Sequence, residues 1–116
     1  IGITASYADR FDCGAIYLGL NLEESGAYPD NTREFFEEFN RVLDVGTQSR
    51  PEIRNPLWSL TKKEIVKLAY EISAPIEYAW SCYEGGDIQC GQCGPCIMRK
   101  TAHEMLNIPE TVKYKI

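Results

Sequence analysis

Alternating apolar and polar positions along the chain predict helices interleaved with short strands. Ile3, Tyr7 and Phe11 recur every four residues, which predicts a helix with one apolar face that ends near Asp12. The run AIYLGL at residues 15–20 is short and almost wholly apolar. Such a run is typical of a strand that is buried on both faces in a parallel sheet.

A second helix is predicted over residues 32–45, and Gly46 is expected to end it. Its apolar stripe consists of Phe35, Phe36, Phe39, Val42 and Leu43. Residues 48–60 are mostly extended and are expected to contain a short strand or an edge segment, because two prolines interrupt them.

Two more helices follow. Thr61 and Glu64 form a capping box, in which each side chain accepts from the other residue's backbone amide, and the helix behind it stops before Pro75. The buried face of this helix is expected to be Ile65, Leu68, Ala69 and Ile72. The last helix begins near Pro95, a residue favoured in a first turn, and runs to about Leu106.

The composition is that of an ordinary globular domain. Hydrophobic residues make up 44% of the chain, and the formal net charge is −5. No apolar run approaches the roughly 20 residues of a membrane-spanning helix. The chain also lacks the clustered lysines and arginines of a general nucleic-acid-binding protein. We therefore expect a cytoplasmic protein that binds neither membrane nor nucleic acid.

Four of the five cysteines lie in one segment, SCYEGGDIQCGQCGPC at residues 81–96. Cys82, Cys90, Cys93 and Cys96 are separated by seven, two and two residues. A Cys-x-x-Cys turn lets two thiolates face one metal ion, and two more thiolates complete a tetrahedron. Four thiolates leave no open position for water or substrate, so the spacing predicts a structural site for one zinc ion.

Three other uses of these cysteines remain open. Disulfides would suit a small secreted chain, although five is an odd number and no apolar signal segment is visible. An iron–sulfur cluster also takes four thiolates, although Ile97 and Met98 stand where a ferredoxin has a further cysteine and a proline. A redox Cys-x-x-Cys pair would need only two cysteines.

Glycines also fit a metal site in this segment, because they permit the positive φ of the turns around a metal ion. They are Gly85, Gly86, Gly91 and Gly94.

Cys13 and His103 fall outside this spacing. Cys13 is expected to be a small buried residue at the edge of the first strand. His103 lies about two helical turns beyond Cys96, too far to join a metal site, and is expected to be partly exposed. Trp58 and Trp80 are expected to be packing residues rather than stacking platforms.

The alternation of helix and strand indicates an α/β fold with a parallel sheet. Two strands bury little surface, so we expect more strands from a missing part of the chain or from a partner. The chain opens at Ile1 without a methionine, which also suggests part of something larger.

We predict one structural unit, in which residues 1–80 are the α/β part and residues 81–116 are the zinc loop and terminal helix. Residues 112–116 form a basic tail.

The segment NLEESGAYPDN at residues 21–31 is a loop that leaves the carboxyl end of the first predicted strand. Open α/β sheets place their ligands there, so Asn21, Tyr28 and Asp30 are candidates for lining a substrate pocket. Ordinary turn chemistry accounts for the same residues equally well, with one of residues 30–32 capping the next helix.

Three segments together resemble a known family. They are GLNLEESGAYPDN, PLWSLTKKEIVKLA and WSCYEGGDIQCGQCGPCIMR, and with ASYA at residues 5–8 they span nearly the whole chain as far as Arg99. The chain resembles the C-terminal half of the 7-cyano-7-deazaguanine synthase family, also called QueC or ExsB. The most specific part of the resemblance is the cysteine spacing between Trp80-Ser81 and Arg99.

The resemblance implies the C-terminal part of a Rossmann-like fold of the adenine nucleotide alpha hydrolase, or ATP-pyrophosphatase, type, usually a homodimer with one zinc ion per subunit. It implies an ATP-dependent ligase that converts 7-carboxy-7-deazaguanine and ammonia into 7-cyano-7-deazaguanine, a precursor of queuosine and archaeosine. Carried over by position, the zinc ligands are Cys82, Cys90, Cys93 and Cys96, and the residues near the substrate are Asn21, Tyr28 and Asp30.

One departure from the family's pattern limits what is carried over. Its ATP site rests on an N-terminal Ser-Gly-Gly-x-Asp-Ser loop whose amides cradle phosphates, and these 116 residues contain no such loop. No ATP-binding or catalytic residue is therefore assigned, and we expect the chain alone not to turn over ATP. The triplet PDN at residues 29–31 would suit a divergent branch acting on another carboxylate. A non-enzymatic zinc-binding or assembly module derived from this fold is a further alternative.

Overall fold

The structure is a computed structural model that describes residues 1–23 and 26–116; residues 24–25 of the predicted loop lie outside this part. The helices are α1 (Gly2–Arg10), α2 (Arg33–Gly46), α3 (Lys62–Glu71) and α4 (Gly94–Leu106), and the strands are β1 (Ala15–Tyr17) and β2 (Glu52–Arg54). Short 3-10 turns cover Pro29–Asn31 and Ile76–Tyr78. The described residues contain no helix long and apolar enough to cross a membrane.

The chain divides into two compact units, Ile1–Ser59 and Leu60–Ile116. The predicted division at residue 80 stays a prediction. The first unit is built on two strands joined through α2. β1 and β2 pair in parallel with Ile16 opposite Ile53, so the predicted parallel sheet is confirmed. These two residues are buried in one core with Phe36 and Leu43 of α2.

Asn40 of α2 closes one edge of β2. Its Oδ1 accepts a hydrogen bond from the backbone N–H of Ile53 at 2.7 Å, and its Nδ2 donates to the carbonyl oxygen of Ile53 at 3.5 Å. The side-chain amide thus takes the place of a neighbouring strand. A further strand added to this sheet would therefore pair with the other edge, along β1.

The apolar face predicted for α1 lies on the outside. Ile3, Tyr7 and Phe11 are 80%, 63% and 67% exposed, whereas Ala5 and Ala8 are buried in the core. Alanine has almost no bulk beyond its backbone, so the alanine face lets the helix axis approach the core closely. The three large side chains are left pointing away from it.

β1 is shorter and less enclosed than predicted. Only Ile16 of its three residues is buried, and Tyr17 is 65% exposed, so burial on both faces is wrong for the described residues. The core covers one face of this short sheet. Cys13 is exposed, contrary to expectation, because it lies in the turn before the strand, next to the left-handed Asp12 at φ 53°.

The second unit contains α3 and α4, and its capping box is confirmed. Thr61 Oγ1 accepts from the Glu64 amide at 3.3 Å, and the Glu64 carboxylate accepts from the Thr61 amide at 2.8 Å. The buried residue of α3 is Val66, which is 2% exposed. Ile72 was predicted on the buried face but is 66% exposed, because it is the C-cap residue, beyond the last helical turn.

Candidate metal centre

The side chains of Cys82, Cys90, Cys93 and Cys96 converge in the second unit. Their Sγ atoms all lie within 4.8 Å of one another. Sulfurs bound to one zinc ion at about 2.3 Å would be about 3.8 Å apart in a tetrahedron, and this spacing is compatible with that arrangement. All five cysteines of the chain are free, so the structure contains no disulfide. The four cysteines could therefore hold a metal ion.

Backbone amides donate hydrogen bonds to the sulfurs. The N–H of Cys90 donates to Cys82 Sγ at 3.3 Å, and the N–H groups of Gln92 and Cys93 donate to Cys90 Sγ at 3.4 and 3.3 Å. These hydrogen bonds fix the sulfurs of Cys82 and Cys90 relative to the backbone of the loop.

Glycines shape the turns of this loop. Gly85, Gly86 and Gly91 have φ values of 71°, 88° and 80°, as predicted for knuckle turns. Gly91 also permits a close approach, since a Cβ there would lie 2.9 Å from Tyr114 Cβ. Gly94, predicted with this group, is instead the first residue of α4.

The amino-terminal turn of α4 carries the last cysteine. Cys93 is the N-cap residue, Pro95 lies in the first turn, and Cys96 is 0% exposed. Burial raises the pKa of the Cys96 thiol to about 12, whereas the backbone amide of Tyr83 helps to lower the pKa of Cys93. A divalent cation would favour the thiolate at Cys96 despite its burial, because a coordinating thiol loses its proton.

Arg99 connects α4 to the segment that leads into Cys82. Its Nη1 donates to the carbonyl oxygen of Ala79 at 2.6 Å, and its Nη2 donates to that of Ile76 at 3.0 Å. Its Nε donates to the carboxylate of Glu110 at 3.0 Å. Arg99 lies one turn after Cys96, the last of the four cysteines, and it binds the backbone just before Cys82, the first of them. It therefore links the two ends of the cysteine segment. Nothing in the sequence pattern around Arg99 predicts this role.

His103 is not a partly exposed residue, contrary to prediction. It is 1% exposed, its Nδ1 lies 3.0 Å from the carbonyl oxygen of Arg99, and its Nε2 lies 3.4 Å from Tyr70 Oη. Cys96, Arg99 and His103 share the buried face of α4. Their spacing of three and four residues is the signal in the sequence that would have placed the histidine inside.

The two tryptophans differ. Trp58 is half-buried and meets Phe36 edge-on, with ring centroids 5.5 Å apart, so its predicted packing role is confirmed. Trp80 is 51% exposed, and its Nε1 donates to the carbonyl oxygen of Cys82 at 2.9 Å. The indole of Trp80 thus helps to fix the backbone of a candidate metal ligand, a role that the sequence pattern does not predict.

The candidate substrate residues lie in the first unit, past the carboxyl end of β1. Asn21 is 1% exposed, and its Oδ1 accepts from the backbone amide two residues on at 3.0 Å. Tyr28 is 46% exposed, and Asp30 is exposed in the turn Pro29–Asn31. Thr32 caps α2 by accepting from the amide of the third helical residue at 3.3 Å. A role for Asn21, Tyr28 and Asp30 in substrate binding stays a prediction.

A parallel βαβ unit together with a four-cysteine centre defines an α/β protein that carries a metal-binding loop. The model of the family described as "Queuosine biosynthesis protein QueC" matches residues 1–107. The chain belongs to the QueC family, whose fold is Rossmann-like and of the ATP-pyrophosphatase type.

Three relatives that are similar to the chain are each named 7-cyano-7-deazaguanine synthase. The chain is 45% identical over 115 residues to the 7-cyano-7-deazaguanine synthase of Sulfolobus acidocaldarius, with 97% of this chain and 25% of that protein covered. It is 46% identical over 114 residues to that of Saccharolobus solfataricus, with the same coverage. It is 38% identical over 113 residues to that of Methanothermobacter thermautotrophicus, with 97% of this chain and 51% of that protein covered. The chain thus spans a quarter to about half of these relatives, and no solved structure matches it significantly.

Proposed function

We propose that the chain is the zinc-bearing C-terminal part of an ATP-dependent ligase that converts 7-carboxy-7-deazaguanine and ammonia into 7-cyano-7-deazaguanine. The observation that carries the proposal is a four-cysteine centre within the residues matched by the QueC family. The names of the relatives support the product. ATP as co-substrate, a homodimeric assembly and a cytoplasmic location belong to the same proposal.

Zinc is the ion that suits this donor set best. Thiolates are soft ligands, and a tetrahedron of four of them is typical of structural zinc. Four thiolates would fill all four coordination positions of a zinc ion and leave none for water or substrate. The ion would therefore fix the loop and α4 and take no part in catalysis. An iron–sulfur cluster, which also takes four thiolates, is the alternative that metal analysis would detect.

The proposed reaction divides the work between parts of the enzyme. A carboxylate is a poor electrophile, so ATP must first convert it into an anhydride, which has a good leaving group. Ammonia then attacks the activated carbon and displaces that leaving group to give an amide. A second ATP activates the amide oxygen, which then leaves with the activating group while the nitrogen loses its two protons to give the nitrile. In this proposal the phosphate-binding loop lies in a part of the enzyme outside these 116 residues. This chain contributes Asn21, Tyr28 and Asp30 to substrate recognition at the carboxyl end of β1.

Two surfaces of the first unit support a longer parent protein. Asn40 occupies one edge of β2, so additional strands would pair along β1. The exposed side chains Ile3, Tyr7 and Phe11 on and just after α1 form an apolar surface that a further layer would cover. A nucleotide-binding part of an α/β enzyme would supply both the strands and that layer.

A chimera tests the proposal. This chain replaces the matching C-terminal part of the Methanothermobacter thermautotrophicus relative, and nitrile formation from 7-carboxy-7-deazaguanine, ammonium and MgATP is followed by mass spectrometry. We expect the chimera to make the nitrile and the 116-residue chain alone to consume no ATP. A chimera that folds, binds zinc and forms no nitrile would favour a non-enzymatic module or another carboxylate substrate. ATP turnover by the chain alone would contradict the proposed division of work.

A further inference from the structure

The residues after α4 fold back across the cysteine loop. We call residues 109–116 the C-terminal strap. Tyr114 forms a parallel bridge with Gln89, and the N–H of Lys115 donates to the carbonyl oxygen of Gln89 at 2.9 Å. The strap passes Gly91 so closely that no Cβ would fit there. The match to the family model ends at residue 107, so the strap lies beyond the matched residues, whereas Gln89 and Gly91 lie within them.

Glu110 anchors the strap. Its carboxylate accepts from Arg99 Nε and Nη2 at 3.0 and 3.2 Å, from the amides of Thr111 and Val112 at 2.9 and 3.1 Å, and from Tyr114 Oη at 2.9 Å. The Arg99 side chain is 3% exposed and that of Glu110 is 16% exposed, so this bidentate ion pair joins a buried guanidinium to a partly buried carboxylate. Burial alone would raise the pKa of Glu110, but the donors prevail and lower it. The carboxylate is therefore ionised at neutral pH.

The same arginine holds the backbone before Cys82 through the carbonyl oxygens of Ile76 and Ala79. Removing the negative charge of Glu110 would leave the Arg99 guanidinium buried without its counter-ion. The strap, the segment before Cys82 and α4 thus share one buried contact.

Tyr114 covers the cysteine cluster from the side of the strap. Its ring packs against a cluster formed by the buried side chains Cys82, Cys90 and Cys96. Lys100 Nζ lies over the Tyr114 ring, 5.3 Å from its centroid, in a cation–π contact. Tyr114 is therefore the residue through which the strap contacts the buried cysteines.

We propose that the C-terminal strap controls metal exchange at the four-cysteine centre and that Glu110 and Tyr114 are its positioning residues. In its closed position the strap keeps chelators and oxidants away from the sulfurs, and a metal ion leaves or enters when the strap lifts. This inference rests on the proposed zinc site and is independent of the ligase activity.

The rate of zinc release tests the inference. The reduced 116-residue chain is loaded with one equivalent of Zn²⁺ and mixed with an excess of a chromogenic chelator. Outer-shell partners of metal ligands typically change metal affinity by about 10- to 100-fold, so we expect Glu110→Gln and Tyr114→Ala to release zinc at least about tenfold faster. Tyr114→Phe, which loses only the hydrogen bond to Glu110, should give an intermediate rate. Lys113→Ala, at an exposed position of the strap, should leave the rate unchanged.

A matched control separates the strap from general instability. Val66→Ala removes a buried side chain of α3 in the same unit and leaves the strap intact. If Val66→Ala releases zinc as fast as Glu110→Gln at an equal drop in thermal midpoint, the effect is global and the inference is wrong. Release from all strap variants within twofold of the wild type would also overturn it. Alkylation of the thiols in the zinc-loaded protein should accelerate in the same strap variants. A wild-type chain that takes up no zinc would overturn the metal centre and the inference together.

Discussion

Replacing Cys96 by serine should weaken zinc binding far more than replacing Cys13, the one cysteine outside the cluster. Cys96 is 0% exposed and lies in the first turn of α4, where its sulfur is one of four that converge on the metal position. A serine hydroxyl is neutral at pH 7 and is a poor substitute for a thiolate. The enclosed site also leaves little room for water to fill the lost position.

The expected size of the effect follows from the number of ligands. Structural zinc contributes an apparent binding free energy of about 10–16 kcal/mol in small zinc modules. An equal share for each thiolate is about 2.5–4 kcal/mol, and at 1.4 kcal/mol for each tenfold step this corresponds to roughly 10²–10³-fold weaker binding. Competition with a chelator of known affinity measures the change.

Cys13→Ser is the matched control for this substitution. Cys13 is the same residue type, but it is exposed and belongs to the first unit. Its replacement should leave zinc affinity within twofold of the wild type. Equal zinc affinities for Cys96→Ser and Cys13→Ser would refute the assignment of Cys96 as a ligand.

Three further predictions concern the rest of the chain. Leu43→Ala, at 3% exposure in the first core, should lower the free energy of unfolding by about 2–5 kcal/mol in urea titrations, whereas Val45→Ala on the same helix, at 85% exposure, should change it little. Thr61→Ala should cost about 0.5–2 kcal/mol by removing the cap of α3, and the exposed Lys63→Ala should cost much less; equal costs would contradict the role of the capping box. Burial raises the pKa of the Cys96 thiol to about 12, so zinc must displace its proton on binding. Apparent zinc affinity should therefore rise from pH 6 to pH 8, and an affinity that does not change with pH would contradict thiolate ligation.

Local features of the chain were predictable from sequence. The capping box depends on Thr61 and Glu64 alone, and both of its hydrogen bonds are present. The cysteine spacing places two thiolates through one Cys-x-x-Cys turn and a third through the start of α4, so most of the centre is specified within a few residues. The parallel pairing of the strands followed from the helix between them.

Features that depend on distant partners were not predictable in this way. Periodicity predicted an apolar face for α1, but the face that packs on the core is that of Ala5 and Ala8. Small side chains there let the helix backbone lie close to the core. His103 and Arg99 are polar, and their burial depends on Tyr70 and on Glu110. Residues 112–116 of the strap were predicted only as a basic tail. They are held in place by pairing with the cysteine loop, and local sequence does not reveal a contact between residues so far apart in the chain.

X-ray absorption spectroscopy at the zinc edge on the reduced, metal-loaded chain, together with metal analysis, tests the four-cysteine centre itself. We expect one zinc ion per chain, with four sulfurs bound to it at about 2.3 Å. A first shell that contains nitrogen or oxygen ligands, or a protein in which the cysteines have paired as disulfides and bind no metal, would contradict it.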